Sequence, residues 1–179
     1  MRVVSTFHPP SSVTDAIKCR LTSDHALIHL VVTKSDRLDI YSVQPSGLRY
    51  ECGAEIWGRV VTVRAIPAQV LNALISYYAS DSLIRLEQHG KSNLLLLTDH
   101  PDPRLIFFSY ATPSSGGPFL KVLKTLSLFQ HLPRSSESEF LHSITVDPSG
   151  SVAVLNCYTG KIKVVELEDG LYTNDFDVM

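Results

Sequence analysis

The chain has only three cysteines, Cys19, Cys52 and Cys157, and no two of them form a CxxC pair. An odd, widely spaced set excludes a disulfide framework and a structural zinc site, and points to a reducing compartment. A basic excess is also missing: 16 Lys and Arg stand against 18 Asp and Glu, for a formal charge of −2. That balance excludes a general polyanion binder, which needs a concentrated cationic surface, but it leaves room for a local nucleic-acid contact. No unbroken apolar run is longer than a few residues, residues 94–97 being an example. A spanning helix needs about 20 apolar residues, and a secretory leader needs an apolar region of about 7–15 before its cleavage site. The N-terminus instead reaches Pro9-Pro10 after a very short apolar stretch. The expectation is a soluble nuclear or cytosolic protein with no membrane contact.

Methionine is scarce at two, whereas Val and Ile together number 27 and apolar residues make up 44% of the chain. That fraction is ordinary for a packed domain, and the β-branched skew favours strands. At 179 residues and 19.8 kDa the chain is one domain or part of one. Strand-like segments follow one another with polar turns between them. The first group is 17–22, 26–33, 37–43 and 48–57; the second is 60–66, 93–98, 104–110 and 120–128. The third group is 141–146, 151–157, 161–167 and 171–178. Each group reads as a four-stranded meander.

The third strands align best: Arg37-Leu38-Asp39-Ile40-Tyr41-Ser42-Val43, Arg104-Leu105-Ile106-Phe107-Phe108-Ser109-Tyr110 and Lys161-Ile162-Lys163-Val164-Val165-Glu166-Leu167. Each opens with a base and an aliphatic residue and is apolar at most of its fourth, fifth and seventh positions. The offsets are 67 and 57 residues. A four-stranded unit recurring at about 40–50 residues marks a β-propeller, one repeat per blade; a β-sandwich is the alternative that uses the same short strands. The Gly-His and Trp-Asp signatures of WD40 repeats are absent. The expected fold is all-β, a partial propeller of about three antiparallel blades at about 17–57, 58–128 and 139–179. Closed propellers have about 4–8 blades, so the chain reads as the front of a larger ring. The side surfaces of its first and last blades, with Leu30, Ile40, Val154 and Val164, are then expected to lie uncovered and to drive association.

Residues 70–88 interrupt the repeat. Leu71, Leu74, Ile75 and Tyr78 have the i, i+3, i+4, i+7 spacing of an amphipathic helix, which suggests an insertion docked beside the blades. A retained intron is the other reading. The segment opens on Val, whose codons begin GT, and closes on Gln, which CAG encodes; Ser80-Asp81 can be encoded with a branch-point-like sequence. Its 57 nucleotides are in frame, and removing them brings the first offset to 48 residues.

No catalytic constellation emerges. His25 and His29 are four apart, but in a strand that spacing separates them by about 13 Å. Asp99-His100-Pro101-Asp102-Pro103 gathers acids and an imidazole, yet two prolines in five residues describe a rigid turn. Ser114-Ser115-Gly116-Gly117-Pro118 opens no helix and is a hairpin loop, and there is no GxSxG elbow. Cys52 and Cys157 lie on expected strands and read as core residues. The Ser- and Glu-rich stretch 133–139 is a solvated connector. A propeller lactonase would need acids, Asn or His around its axis, and the expected innermost strands supply Arg64, His142 and little acid. No catalytic, cofactor-binding or metal residues are therefore assigned; no cofactor is expected, and the protein is read as not an enzyme.

Several segments carry a family resemblance. Leu30-Val31-Val32-Thr33-Lys34-Ser35-Asp36-Arg37-Leu38-Asp39-Ile40-Tyr41 is followed by Gly47-Leu48, then by the step Ile56-Trp57-Gly58-Arg59-Val60. Later come Val146-Asp147-Pro148-Ser149-Gly150 and Cys157-Tyr158-Thr159-Gly160-Lys161-Ile162-Lys163-Val164-Val165. In this order they resemble the N-terminal propeller of three nuclear scaffolds. These are the large subunit of the UV-damaged-DNA-binding complex, the third subunit of splicing factor 3b, and the large subunit of the cleavage and polyadenylation specificity factor. The Arg-Leu-acidic-Ile-Tyr and Tyr-x-Gly segments are most similar to the damage-binding subunit, in a truncated, fungal-type form. The resemblance implies a non-enzymatic adaptor of cullin-RING ubiquitin ligases in the nucleus, in which the first and third propellers hold substrate receptors and the second holds the cullin. Partners would be substrate receptors or other complex subunits, with nucleic acid reached only through the complex. An RNA-processing scaffold of the same superfamily is the alternative. The resemblance assigns no partner-contact residue.

Overall fold

The computed structural model describes residues 11–24, 26–68, 91–100, 102–113, 115–128 and 142–178. Among them are twelve strands and no helix. The first sheet holds β1 (Val13–Cys19), β2 (Ile28–Lys34), β3 (Arg37–Gln44) and β4 (Gly47–Glu55). The second holds β5 (Arg59–Pro67), β6 (Ser92–His100), β7 (Arg104–Ala111) and β8 (Phe119–Ser127). The third holds β9 (Ser143–Val146), β10 (Val152–Tyr158), β11 (Lys161–Glu168) and β12 (Leu171–Val178). In each sheet the strands pair antiparallel in chain order. The leading strands β1, β5 and β9 pack side by side, and β4 approaches β8 at the periphery. Three meanders fanned about their first strands make a partial β-propeller.

Turn chemistry fixes the hairpins. Between β11 and β12, Asp169 (φ 52°) and Gly170 (φ 71°) both adopt the left-handed conformation. That pair suits a two-residue hairpin whose twist matches its flanking strands, and Asp-Gly is among the sequences that tolerate it best. Ser35-Asp36 closes the β2–β3 hairpin, where Lys34 faces Arg37.

Two layers of core lie between the three sheets. The first packs Val31, Leu38 and Ile40 against Val63, Leu94, Leu96 and Phe108. The second packs Leu95, Leu97, Leu105 and Phe107 against Ile144, Leu155 and Val165. Strand β6 shows how this geometry follows from sequence. Its four consecutive leucines are each 0% exposed, alternate ones facing opposite neighbours, so a strand covered on both sides needs no polar alternation.

The third-strand repeat holds in three dimensions: Arg37, Arg104 and Lys161 are the first residues of β3, β7 and β11. The segment expected at 17–22 differs, since β1 runs from Val13 to Cys19 and Thr22 and Ser23 form a bend. The reason is alternation: Asp15, Ile17 and Cys19 face the second sheet while Ala16 and Lys18 are exposed, and the acid obscured this pattern. Ala26 and Leu27 precede β2 rather than opening it. Ile40 also differs from expectation. It is 0% exposed because its side of β3 faces the second sheet, whereas Leu30 and Val164 are half-buried and Val154 is exposed on the outward faces. The expected insertion at 70–88 and the connector at 133–139 lie outside the described residues.

Candidate protein-interaction site

The polar groups of the described residues mostly tie strands and sheets together. Asp15, on β1, reaches across to the leading strand of the next sheet. Its Oδ2 accepts hydrogen bonds from the Thr62 hydroxyl (2.6 Å), the Val63 N–H (3.1 Å) and Arg64 Nη1 (2.8 Å). Its Oδ1 accepts from the Ala16 N–H at 2.8 Å. Burial alone would raise the Asp15 carboxyl, but these donors outweigh it and hold the group below its ordinary 3.8. Arg64, the cation noted on the expected innermost strands, is thus committed to a neighbouring blade. The role of Asp15 is invisible in sequence because its donors on the next sheet lie 47 to 49 residues away.

A second network covers part of the outward face of the first sheet. Asp39 is almost fully buried there, sealed by Lys34 Nζ at 2.8 Å and Arg37 Nε at 2.6 Å. Arg37 Nη2 also donates to the Tyr50 hydroxyl at 3.1 Å. Burial works to raise the Asp39 carboxyl, and the two cations more than reverse it, so the acid is held below its usual range. Gly53 makes room for this arrangement. A Cβ on it would lie 2.6 Å from Asp39 Oδ1, 2.8 Å from the Tyr50 hydroxyl and 3.0 Å from the Leu38 carbonyl. Gly53→Ala is therefore expected to destabilise the chain by about 1–3 kcal/mol, because the backbone carbonyl cannot yield as a side chain can. Urea midpoints read this directly, and an unchanged midpoint would mean that the sheet relaxes freely.

In the third sheet, Lys163 Nζ bridges Asp175 (2.7 Å) and Asp177 (2.8 Å), and the Tyr172 hydroxyl donates to Asp175 at 2.6 Å. The Asp147 carboxylate caps its own turn, accepting from the Val152 N–H at 2.8 Å and from the Ser149 hydroxyl. Asp99, from the acid-rich turn, pairs with Arg59 through two hydrogen bonds of 2.9 and 2.5 Å. β6 continues through Asp99 and His100, and Pro101 lies outside the described residues. His25 also lies outside them, as does Ser114.

The candidate nucleophiles are packing residues. All three thiols are buried; burial pushes Cys19 and Cys157 up to about 12 and Cys52 up to about 11. His29 is 0% exposed, its Nδ1 accepting from the Leu21 N–H at 3.4 Å and its ring 5.3 Å from that of Tyr110. Burial lowers its pKa below 6.5, with Glu51 pulling the other way, so the imidazole is neutral near pH 7. His142 is buried as well. Among the described residues no three His, Cys, Asp or Glu side chains come together as a metal cage.

Among the described residues, the step between the first two sheets presents the most exposed large apolar side chain. Ile56 is buried and Trp57 is 75% exposed. Gly58 turns the chain with φ 126°. The step is clamped by the Ile56 N–H to Asp36 O (2.8 Å) and the Val60 N–H to Ser35 O (2.7 Å). The outward sheet faces add Val43, Leu48 and Tyr50 at one end and Val154, Ile162, Phe176 and Val178 at the other, all exposed. These are exposed apolar surfaces among the described residues.

Comparison with known proteins agrees with this geometry. DNA damage-binding protein 1 of Caenorhabditis elegans is 20% identical over 154 residues, covering 86% of this chain. The chain spans only 11% of that protein's length. A family model described as the RSE1/DDB1/CPSF1 first beta-propeller matches residues 12–175, which include nearly all of the three sheets. The chain belongs to the RSE1/DDB1/CPSF1 first β-propeller family.

Proposed function

We propose that this chain is a non-enzymatic protein-interaction scaffold module of the damage-binding branch, working in the nucleus within a cullin-RING ubiquitin ligase. The family match over residues 12–175 carries the scaffold reading, and the similarity to a DNA damage-binding protein favours this branch over RNA processing. The site chemistry is in keeping with it: among the described residues, buried thiols, a neutral buried histidine and carboxylates engaged by nearby donors offer no poised nucleophile or base. The partners are substrate receptors or other subunits of the complex, and nucleic acid is reached through them.

Affinity purification of the tagged chain from nuclear and cytosolic fractions, with mass spectrometry of what is retained, tests the proposal. Substrate receptors of cullin-RING ligases are the expected nuclear partners. Recovery of splicing or mRNA 3′-end processing subunits in their place would transfer the chain to the RNA-processing branch. A stoichiometric divalent metal together with esterase turnover in the purified protein would overturn the scaffold reading altogether.

A further inference from the structure

A polar row crosses the joint between the first and second sheets. Residues directly opposite one another in a sheet share a face, so Cys19, His29 and Ser42 form one row, on the side of β2 that packs Val31 into the first core. The Ser42 hydroxyl extends the row to β4, donating to Glu51 Oε1 at 2.6 Å. His29 stands in the middle, fully buried, its ring against that of Tyr110 on β7 of the second sheet. Its two ring nitrogens are set apart by their surroundings. Nδ1 accepts from the Leu21 N–H, so the proton of the neutral imidazole belongs on Nε2, which has no hydrogen-bond partner among the described residues. Leu21 is itself buried, and the carbonyl of Arg20 just before it accepts from the Ser92 N–H of the second sheet at 2.8 Å. The neutral ring therefore holds the segment that ties the two sheets together.

We propose that His29 makes this joint acid-sensitive: neutral, it closes the first sheet on the second, and protonated, it loosens them. A proton taken from solvent at Nδ1 occupies the lone pair that receives the Leu21 N–H, and sets two donors face to face. It also places a charge where little can balance it. Of the titratable groups around the ring, burial pushes the Cys19 thiol and the Tyr110 hydroxyl up to about 12 and the Cys52 thiol up to about 11, so all three stay neutral. Glu51 is the one acid of the row, and it is already engaged by Ser42 and approached by Arg49 at 4.0 Å. At the other end of the joint, Asp15 and Arg64 pair with each other. Burial accordingly outweighs the pull of Glu51 and holds the imidazole below 6.5. A histidine lowered in this way stabilises the fold fully above its unfolded value and withdraws that contribution as pH falls from there towards the folded value. Both sides of the joint belong to this chain and the proposed partners play no part in it, so failure of the inference would leave the scaffold reading standing.

Urea unfolding of the 179-residue chain at about pH 7 and about pH 5, beside His29→Asn, tests it. Asn keeps an acceptor oxygen at the place of Nδ1 and cannot take the proton. Between the two pH values the unfolding constant of the parent should rise, relative to that of the variant, by at least about threefold. The ceiling is about twenty-five-fold for a group that titrates near 6.5 when unfolded. A relative rise below about threefold would overturn the proposal. Because the smaller amide leaves a void that can itself unfold the chain, nitrogen NMR of the histidine rings in the parent gives an independent reading. In the folded chain at pH 6.5, His29 should be predominantly the neutral tautomer with its proton on Nε2. The Leu21 amide should lose exchange protection as the pH is lowered to about 5. A His29 ring at least half protonated at pH 6.5, a neutral ring with its proton on Nδ1, or Leu21 protection that persists in mild acid would each overturn the proposal too.

Discussion

Phe107→Ala is expected to be the most damaging single truncation, lowering the unfolding free energy by about 3–5 kcal/mol. Phe107 is 0% exposed in the core between the second and third sheets. Its ring meets that of Tyr172 edge-on, with centroids 6.4 Å apart. Removing it forfeits the transfer energy of the ring and leaves a void that strands pinned on both sides cannot collapse to fill. An aromatic pair is lost as well, itself worth about 0.5–1.5 kcal/mol. Denaturant titration followed by circular dichroism reads the loss. A change below about 1 kcal/mol would mean that the third sheet is not firmly docked on the second.

The second large effect is expected at Asp15. Asp15→Ala leaves the Thr62 hydroxyl, the Val63 N–H and the Arg64 guanidinium without their shared acceptor, between strands that belong to different sheets. Loss of one member of a fully buried pair costs about 3–5 kcal/mol. The side chains of Asp15 and Arg64 are 25% and 39% exposed, so water replaces part of the bond and about 2 kcal/mol is the expected loss. The pH dependence identifies the cause. A carboxyl held below its ordinary 3.8 stabilises the fold above that pH and loses the contribution as pH falls through its folded value. The gap between parent and variant should therefore be full at neutral pH and narrow in acid below about pH 4. A gap that stays constant into strong acid would show that lost packing, and not the charged contact, explains the effect.

The two sites show where sequence reading succeeds and where it stops. Phe107 belongs to the repeat Arg104-Leu105-Ile106-Phe107-Phe108, whose alignment with the segments at Arg37 and Lys161 is enough by itself to put it on the third strand of a blade. Periodicity of this kind is local, so it survives in sequence. Asp15 carries no such mark: its meaning comes from donors on the next sheet 47 to 49 residues away, and β1 begins four residues earlier than apolar content suggests. The facing of β3 is hidden in sequence for a related reason. Leu38, Asp39 and Ile40 are all buried, because Lys34 and Arg37 cover the acid on the outward side, and that run conceals the alternation that would have turned Ile40 inward. The exposed Trp57 was legible as part of a blade-to-blade step, but not as a side chain left to solvent.

The leucine run of β6 has a consequence for misfolding. From Asn93 to Thr98 six residues without charge are all buried, and they lie in a strand paired on both edges and covered on both faces. Short, apolar, uncharged segments without proline are the sequences that stack into cross-β aggregates once exposed. Lys91 and Asp99 bracket this one, in the position of charged gatekeepers. The strand that gives the middle blade its two cores is therefore also its main hazard. Whatever loosens the first or third sheet uncovers one side of β6, and unfolding of this chain then competes with irreversible self-association.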